Sequence, residues 1–146
     1  TGANPRAIEL EITESALLAS TEELIDQLER VRALGVSLAL DDFGTGYSCL
    51  AYLKRLPIER LKIDRSFIKD LPGDAEDSAI ASATLSMARD LGMLVVAEGV
   101  ENAAQRDYLI ERRCRSIQGY FVCKPQAAEP LTDWLREQLA INHDGE

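Results

Sequence analysis

The sequence predicts an α/β fold of about five successive βα units, and three observations predict it. Short β-rich runs alternate with longer stretches of helical period, the pattern of a parallel sheet with crossover helices. An internal echo repeats the unit: Arg32-Ala33-Leu34-Gly35 and an apolar strand ending at Asp41 are matched by Arg89-Asp90-Leu91-Gly92 and an apolar strand ending at Glu98. Polar residues, mostly acids, stand at the end of each run, where the carboxyl rim of a parallel sheet gathers functional groups. A (β/α)8 barrel needs about 250 residues, so five units in 146 amount to part of one; an open doubly wound sheet is the complete-domain alternative.

The first strand is expected over Ile8 to Ile12. Ser20-Thr21-Glu22-Glu23 then reads as a capping box with Ser20 as N-cap, opening a helix over Thr21 to Leu34. Leu24, Ile25, Leu28, Val31 and Leu34 form its apolar stripe, and Gly35 stops it. Val36 to Leu40 and Arg60 to Ile63 are the next strands. Leu71-Pro72-Gly73-Asp74 is a turn signal, followed by a helix through Ile80, Thr84, Met87 and Leu91 that Gly92 ends. Leu94 to Ala97 is the fourth strand, Ala103 to Arg112 a helix, and Ser116 to Gln118 the fifth strand. An amphipathic segment over Pro130 to Leu139 places Leu131, Trp134, Leu135 and Leu139 on one side. One domain is expected over 1–141, with a polar tail over 142–146 and no internal linker.

Composition narrows the function. With 46% hydrophobic and 28% charged residues the chain supports one packed domain, and its charge of −9 repels a DNA duplex. No apolar run approaches the roughly 18 residues of a membrane span, and no secretory leader opens the chain, so a cytoplasmic setting is expected. Cys49, Cys114 and Cys123 are odd in number and lack CxxC spacing, which argues against a disulfide framework or thiolate zinc. The single histidine, His143, lies in the polar tail, which removes triads needing a positioned imidazole.

The chemistry sits where the strands stop. Glu11 and Glu14 lie at the first strand end, Asp41 and Asp42 follow the second, and Lys62 and Asp64 lie at the third. Glu98 and Glu101 follow the fourth, and Gln118 ends the fifth. Clustered carboxylates repel unless cations compensate them, and hard oxygen ligands suit Mg²⁺, Mn²⁺ or Ca²⁺ better than zinc. Acids at strand ends also cap helices or form surface ion pairs, and Asp64 and Glu14 fit such structural roles best. Strand parity forbids Asp41 and Asp42 both pointing inward from a regular strand, so at least one is expected on the departing turn. The same parity turns Lys62 inward, where it can pair with acids, position water or form a Schiff base. Gly44 and Gly46 make a tight loop after the paired acids but fall short of a dinucleotide fingerprint.

Five ordered motifs carry a family resemblance: Leu10-Glu11-Ile12-Thr13-Glu14-Ser15, Asp41-Asp42-Phe43-Gly44-Thr45-Gly46-Tyr47-Ser48, Leu61-Lys62-Ile63-Asp64-Arg65-Ser66-Phe67, Val96-Ala97-Glu98-Gly99-Val100-Glu101 and Gln118-Gly119-Tyr120. Together they resemble the EAL-domain family of cyclic di-GMP phosphodiesterases. The resemblance implies the C-terminal portion of a (β/α)8 barrel and hydrolysis of cyclic di-GMP to linear pGpG with two ions of Mg²⁺ or Mn²⁺. It implies Glu11, Asp41, Asp42 and Glu98 as metal ligands, Lys62 at the catalytic water, and Glu98 alternatively as general base. It gives Glu101 and Gln118 supporting or substrate-contacting roles, and makes Glu14 the anchor of the loop holding Gly44, Thr45 and Gly46.

The Glu-Ala-Leu motif itself and the asparagine-bearing strand after it are absent, so two family ligands are expected upstream and the 146 residues alone are expected to be impaired. Arg113-Cys114-Arg115 replaces the family's usual Gly-Cys-Asp. A degenerate domain that senses cyclic di-GMP or contacts a protein is the alternative function, and a Schiff-base barrel enzyme a third. An incomplete barrel would expose strand edges, so self-association or pairing with the N-terminal part of the same domain is expected.

Overall fold

The structure is a computed structural model that describes residues 2–17, 22–44 and 53–143, with side chains followed to residue 138. Strands β1 (Glu9–Thr13), β2 (Ser37–Phe43), β3 (Arg60–Ile63), β4 (Leu94–Ala97) and β5 (Ser116–Ile117) form one parallel sheet in the order β1-β2-β3-β4-β5. Each new strand is added on the same side of the last. A doubly wound sheet reverses direction at a switch point; this one does not, so its topology is that of a barrel segment.

Helices α1 (Glu14–Leu17), α2 (Glu22–Ala33), α3 (Ala75–Asp90), α4 (Ala103–Glu111) and α5 (Ala128–His143) complete the described elements, with short 3-10 turns at Pro5–Ala7 and Arg65–Phe67. The Ser20 capping assignment and the predicted first residue of α2 lie outside the described residues. α3 starts at Asp74, whose carboxylate accepts from the amides of Glu76 and Asp77, one turn before the stripe through Ile80. α5 runs on through His143, so Asn142 and His143 are helical and do not begin the expected tail.

The strands present two different faces. Leu38, Leu40, Leu61, Ile63, Val95 and Ala97 are buried and pack with Ile25, Leu28, Ala81, Leu85, Ala88 and Leu109 of the helices in one core. The register places Glu11 beside Ala39 and Lys62 beside Val96 on the other face. That face is polar: Arg60 and Glu9 form an ion pair across it, and Lys62 is buried in it.

The expectation that Asp41 or Asp42 leaves the strand is corrected. Both belong to β2, and the register slips between Leu40, opposite Leu61, and Phe43, opposite Ile63. Three steps on β2 face two on β3, and Asp42 takes up the extra residue with a left-handed φ of 55°. The bulge re-aims the second acid without ending the strand.

Candidate active site

The site begins with Lys62, a polar residue on a short strand whose neighbours Leu61 and Ile63 are fully buried on the helix side. Its side chain is 7% exposed and its ammonium meets three carboxylates: Glu11 Oε1 at 2.7 Å, Glu98 Oε1 at 2.7 Å and Asp41 Oδ1 at 3.2 Å. β1, β2 and the residue after β4 therefore each deliver one acid to a lysine on β3. Burial alone would lower the lysine pKa, but the hydrogen bonds to Glu11 and Glu98 outweigh it and raise it above the ordinary range. Lys62 is charged at every physiological pH.

One ammonium does not balance this group. Asp41 Oδ1 is buried without a well-directed hydrogen bond. Desolvation, then the charges of Asp41, Asp64 and Glu11, push the Asp42 carboxyl upward, and Lys62 offsets this only in part. Among the described residues no three acids stand at coordinating separation, and Lys62 Nζ lies among Glu11, Asp41 and Glu98. The donor set is nonetheless all hard oxygen with surplus negative charge, which fits a hard divalent cation.

Backbone and glycine geometry fix the surrounding loops. Glu98 donates its amide to Ile63 O at 3.1 Å, tying the residue after β4 to the end of β3. Glu14 is 2% exposed and its Oε2 accepts from the Gly44 amide at 3.2 Å, which ties the residue after β2 to the start of α1. Thr45 and Gly46 lie outside the described residues. Asp64 caps the 3-10 turn by accepting from Ser66 N at 2.9 Å; burial would raise its pKa, but that hydrogen bonding brings it below the ordinary value.

Glu101 and Gln118 are not part of the lysine cluster. Glu101 pairs with Arg65 at 2.7 Å, and the exposed Gln118 joins through its backbone, donating to Ala97 O and accepting from Val100 N. The role of Gln105 was missed from the sequence. It is fully buried, its Oε1 accepts from the Glu101 and Asn102 amides, and its Nε2 donates to Lys69 O. With Asn102 it makes a capping box, so the Asn-x-x-Gln spacing at the start of α4 was the available signal. Arg65 left no such signal, because its partners Gly99 and Glu101 come from another loop.

Comparison with known proteins places this geometry. The EAL domain family model matches residues 1–125. The cyclic di-GMP phosphodiesterase NbdA of Pseudomonas aeruginosa is 51% identical over 129 residues, which is 88% of this chain and 16% of that protein. Among solved structures, the PaMucR phosphodiesterase in complex with c-di-GMP superposes with a TM-score of 0.83 at 46% identity, covering 88% of this chain and 52% of that one. The manganese and cy-diGMP complex of Klebsiella pneumoniae BlrP1 gives 0.77 at 32% identity, covering 85% and 32%. The chain thus spans only a part of the relatives it matches. Its fold is of the TIM-barrel type those structures share, and the chain belongs to the EAL domain family.

Proposed function

We propose that the protein containing this chain hydrolyses one phosphodiester of cyclic di-GMP to give linear pGpG. The observation that carries this reading is the convergence of Glu11, Asp41 and Glu98 on a buried, charged Lys62 at the carboxyl ends of four adjacent strands. It is supported by relatives named as cyclic di-GMP phosphodiesterases and by a relative's structure holding manganese and the dinucleotide.

Glu11, Asp41 and Asp42 would hold two divalent cations, Mg²⁺ or Mn²⁺, with further ligands from the remainder of the protein, leaving Glu98 to act as the base. Those ions would supply Lewis-acid stabilisation of phosphate charge and a more acidic water. Lys62 holds the carboxylates in register and donates to the attacking water or to a phosphate oxygen. Glu98 accepts the proton that water loses as its oxygen bonds to phosphorus; one P–O ester bond breaks, and the departing ribose oxygen takes up a proton. Glu14 keeps the Gly44 amide in place at the rim, while Glu101 and Gln118 position loops beside the substrate. A cytoplasmic setting accords with the free thiols of Cys114 and Cys123. The partner is the remainder of the same barrel or a second copy of the chain.

Chromatography of the nucleotide products of the full-length protein, with Mg²⁺ or Mn²⁺ and after exhaustive chelation, tests the reading. Conversion to pGpG is expected only with metal, and undiminished turnover after chelation would refute the metal role. Glu98→Ala should slow turnover by about 100-fold or more while the protein stays folded. Near-normal turnover by a well-folded variant would remove Glu98 from the reaction.

A further inference from the structure

A basic pocket opens at the other end of the sheet from the carboxylates. Val95, near the start of β4, lines it together with Arg115, the residue before β5. Glu98 lies three residues beyond Val95, so the two regions are separated by about 10 Å of strand. The cavity measures about 320 Å³. Leu85 and Met93 are part of its apolar lining, and Arg89, Arg112, Arg113 and Arg115 line it as well. Four of the 16 basic side chains of a chain with charge −9 are gathered here.

The four arginines are not equivalent. Arg112 is held by the Tyr108 carbonyl at 3.2 Å and lies over the Tyr108 ring at 3.5 Å, while Arg89 donates to Ser86 Oγ at 3.0 Å. Each also forms an ion pair with its sequence neighbour, Arg112 with Glu111 at 3.6 Å and Arg89 with Asp90 at 3.9 Å, so the charge of these two is partly compensated. Arg113 and Arg115 are exposed and make no side-chain hydrogen bond or ion pair among the described residues.

Arg113 also sits against the preference of its backbone. It follows α4 with a φ of 63°, a left-handed conformation that glycine takes without penalty, while its amide caps Ile110 O and that of Cys114 caps Leu109 O. A basic residue near a helix C-terminus gains from the dipole, but that gain does not require the glycine position or a second arginine two residues later. The turn and the residue before β5 thus place two arginines without a side-chain partner among the described residues at a pocket that two anchored arginines also line.

We propose that this pocket binds a small phosphate-bearing anion, at a site separate from the hydrolytic rim. Two unengaged arginines beside two partly compensated ones favour a multiply charged anion, and a tetrahedral phosphate offers three or four acceptor oxygens and about two charges against a carboxylate's two oxygens and one charge. The apolar wall leaves room for a compact organic group beside it.

Calorimetric titration of the full-length protein, stripped of divalent ions on a chelating resin, with inorganic phosphate and with pyrophosphate tests the site. One saturable site per chain is expected, with pyrophosphate the tighter ligand. Arg113→Gly removes the guanidinium and suits the backbone, so the variant folds; it and Arg115→Ser should each weaken binding about tenfold or more. Glu11→Ala, at the other end of the sheet, should leave binding unchanged. Absence of saturable binding, equal affinity in the Arg113→Gly/Arg115→Ser double variant, or loss of binding in Glu11→Ala would overturn the proposal.

Discussion

Lys62 shows what the sequence reveals about a single residue and what it hides. Alternation along Leu61-Lys62-Ile63 was enough to turn the lysine inward, because the apolar neighbours must face the helices. It did not tell that the ammonium is shared by three acids, since those contacts cross three strands. Lys62→Met should destabilise the metal-free chain by on the order of 2–3 kcal/mol, less than a fully buried pair because the Glu11 side chain is 46% exposed. The pH dependence has a definite sign. The folded pKa of Lys62 is raised above its unfolded value of about 10.4, so the stabilisation is complete below that value and is lost only as pH climbs through the folded pKa. Urea unfolding of wild type and Lys62→Met should therefore show a constant difference between about pH 6 and 9. A difference that narrows within this window would mean that Lys62 loses its charge there.

Elements were legible wherever the hydrophobic period was unbroken, and obscure where the backbone departs from its ideal. Arg60–Ile63 and Leu94–Ala97 have the bounds their apolar runs imply. β2 outlasts its apolar run because the bulge at Asp42 lets an acidic pair stay in the ladder, and nothing in Asp41-Asp42 announces a bulge. The glycine loops that follow β4 and β5 separate by what they press against. A Cβ at Gly119 would stand 2.2 Å from Val100 O, and Val100 is pinned by hydrogen bonds to Gln118 O and from the Phe121 amide. A Cβ at Gly99 would stand 2.2 Å from Arg65 Cγ and 2.7 Å from Arg65 Cβ, the near end of one side chain, so the Arg65 backbone must give as well, but no pinned main-chain group stands in the way. Gly119→Ala should shift the urea midpoint further than Gly99→Ala, each costing at least about 2 kcal/mol, because Gly99→Ala adds overpacking against Arg65 to its left-handed φ of 67° while Gly119→Ala meets fixed backbone atoms. Equal shifts of the urea midpoint in the two variants would show that the Val100 backbone is not the rigid obstacle.

At the scale of the whole molecule, the sheet is finished on one face and open on the other and at both edges. The helices of this chain bury the apolar face, while among the described residues β1 and β5 each pair with one neighbour only. Ile8 and Leu10, beside the free edge of β1, are 39% and 45% exposed, and Leu131 and Leu135 of α5 also lie uncovered, although the periodicity of that helix predicts a buried stripe. Periodicity identifies a face that needs a partner, but cannot say whether that partner is in the same 146 residues. Unpaired edge groups and exposed apolar side chains favour strand addition from another chain. The isolated chain should therefore self-associate, and adding the remaining part of the barrel should suppress the association by occupying the same edges. Light scattering over a concentration series, alone and with that part supplied, measures both effects. A cooperatively unfolding monomer at every concentration would show that β1 and β5 need no partner, because the charges along the sheet, including the Glu9–Arg60 pair, suffice to keep copies apart.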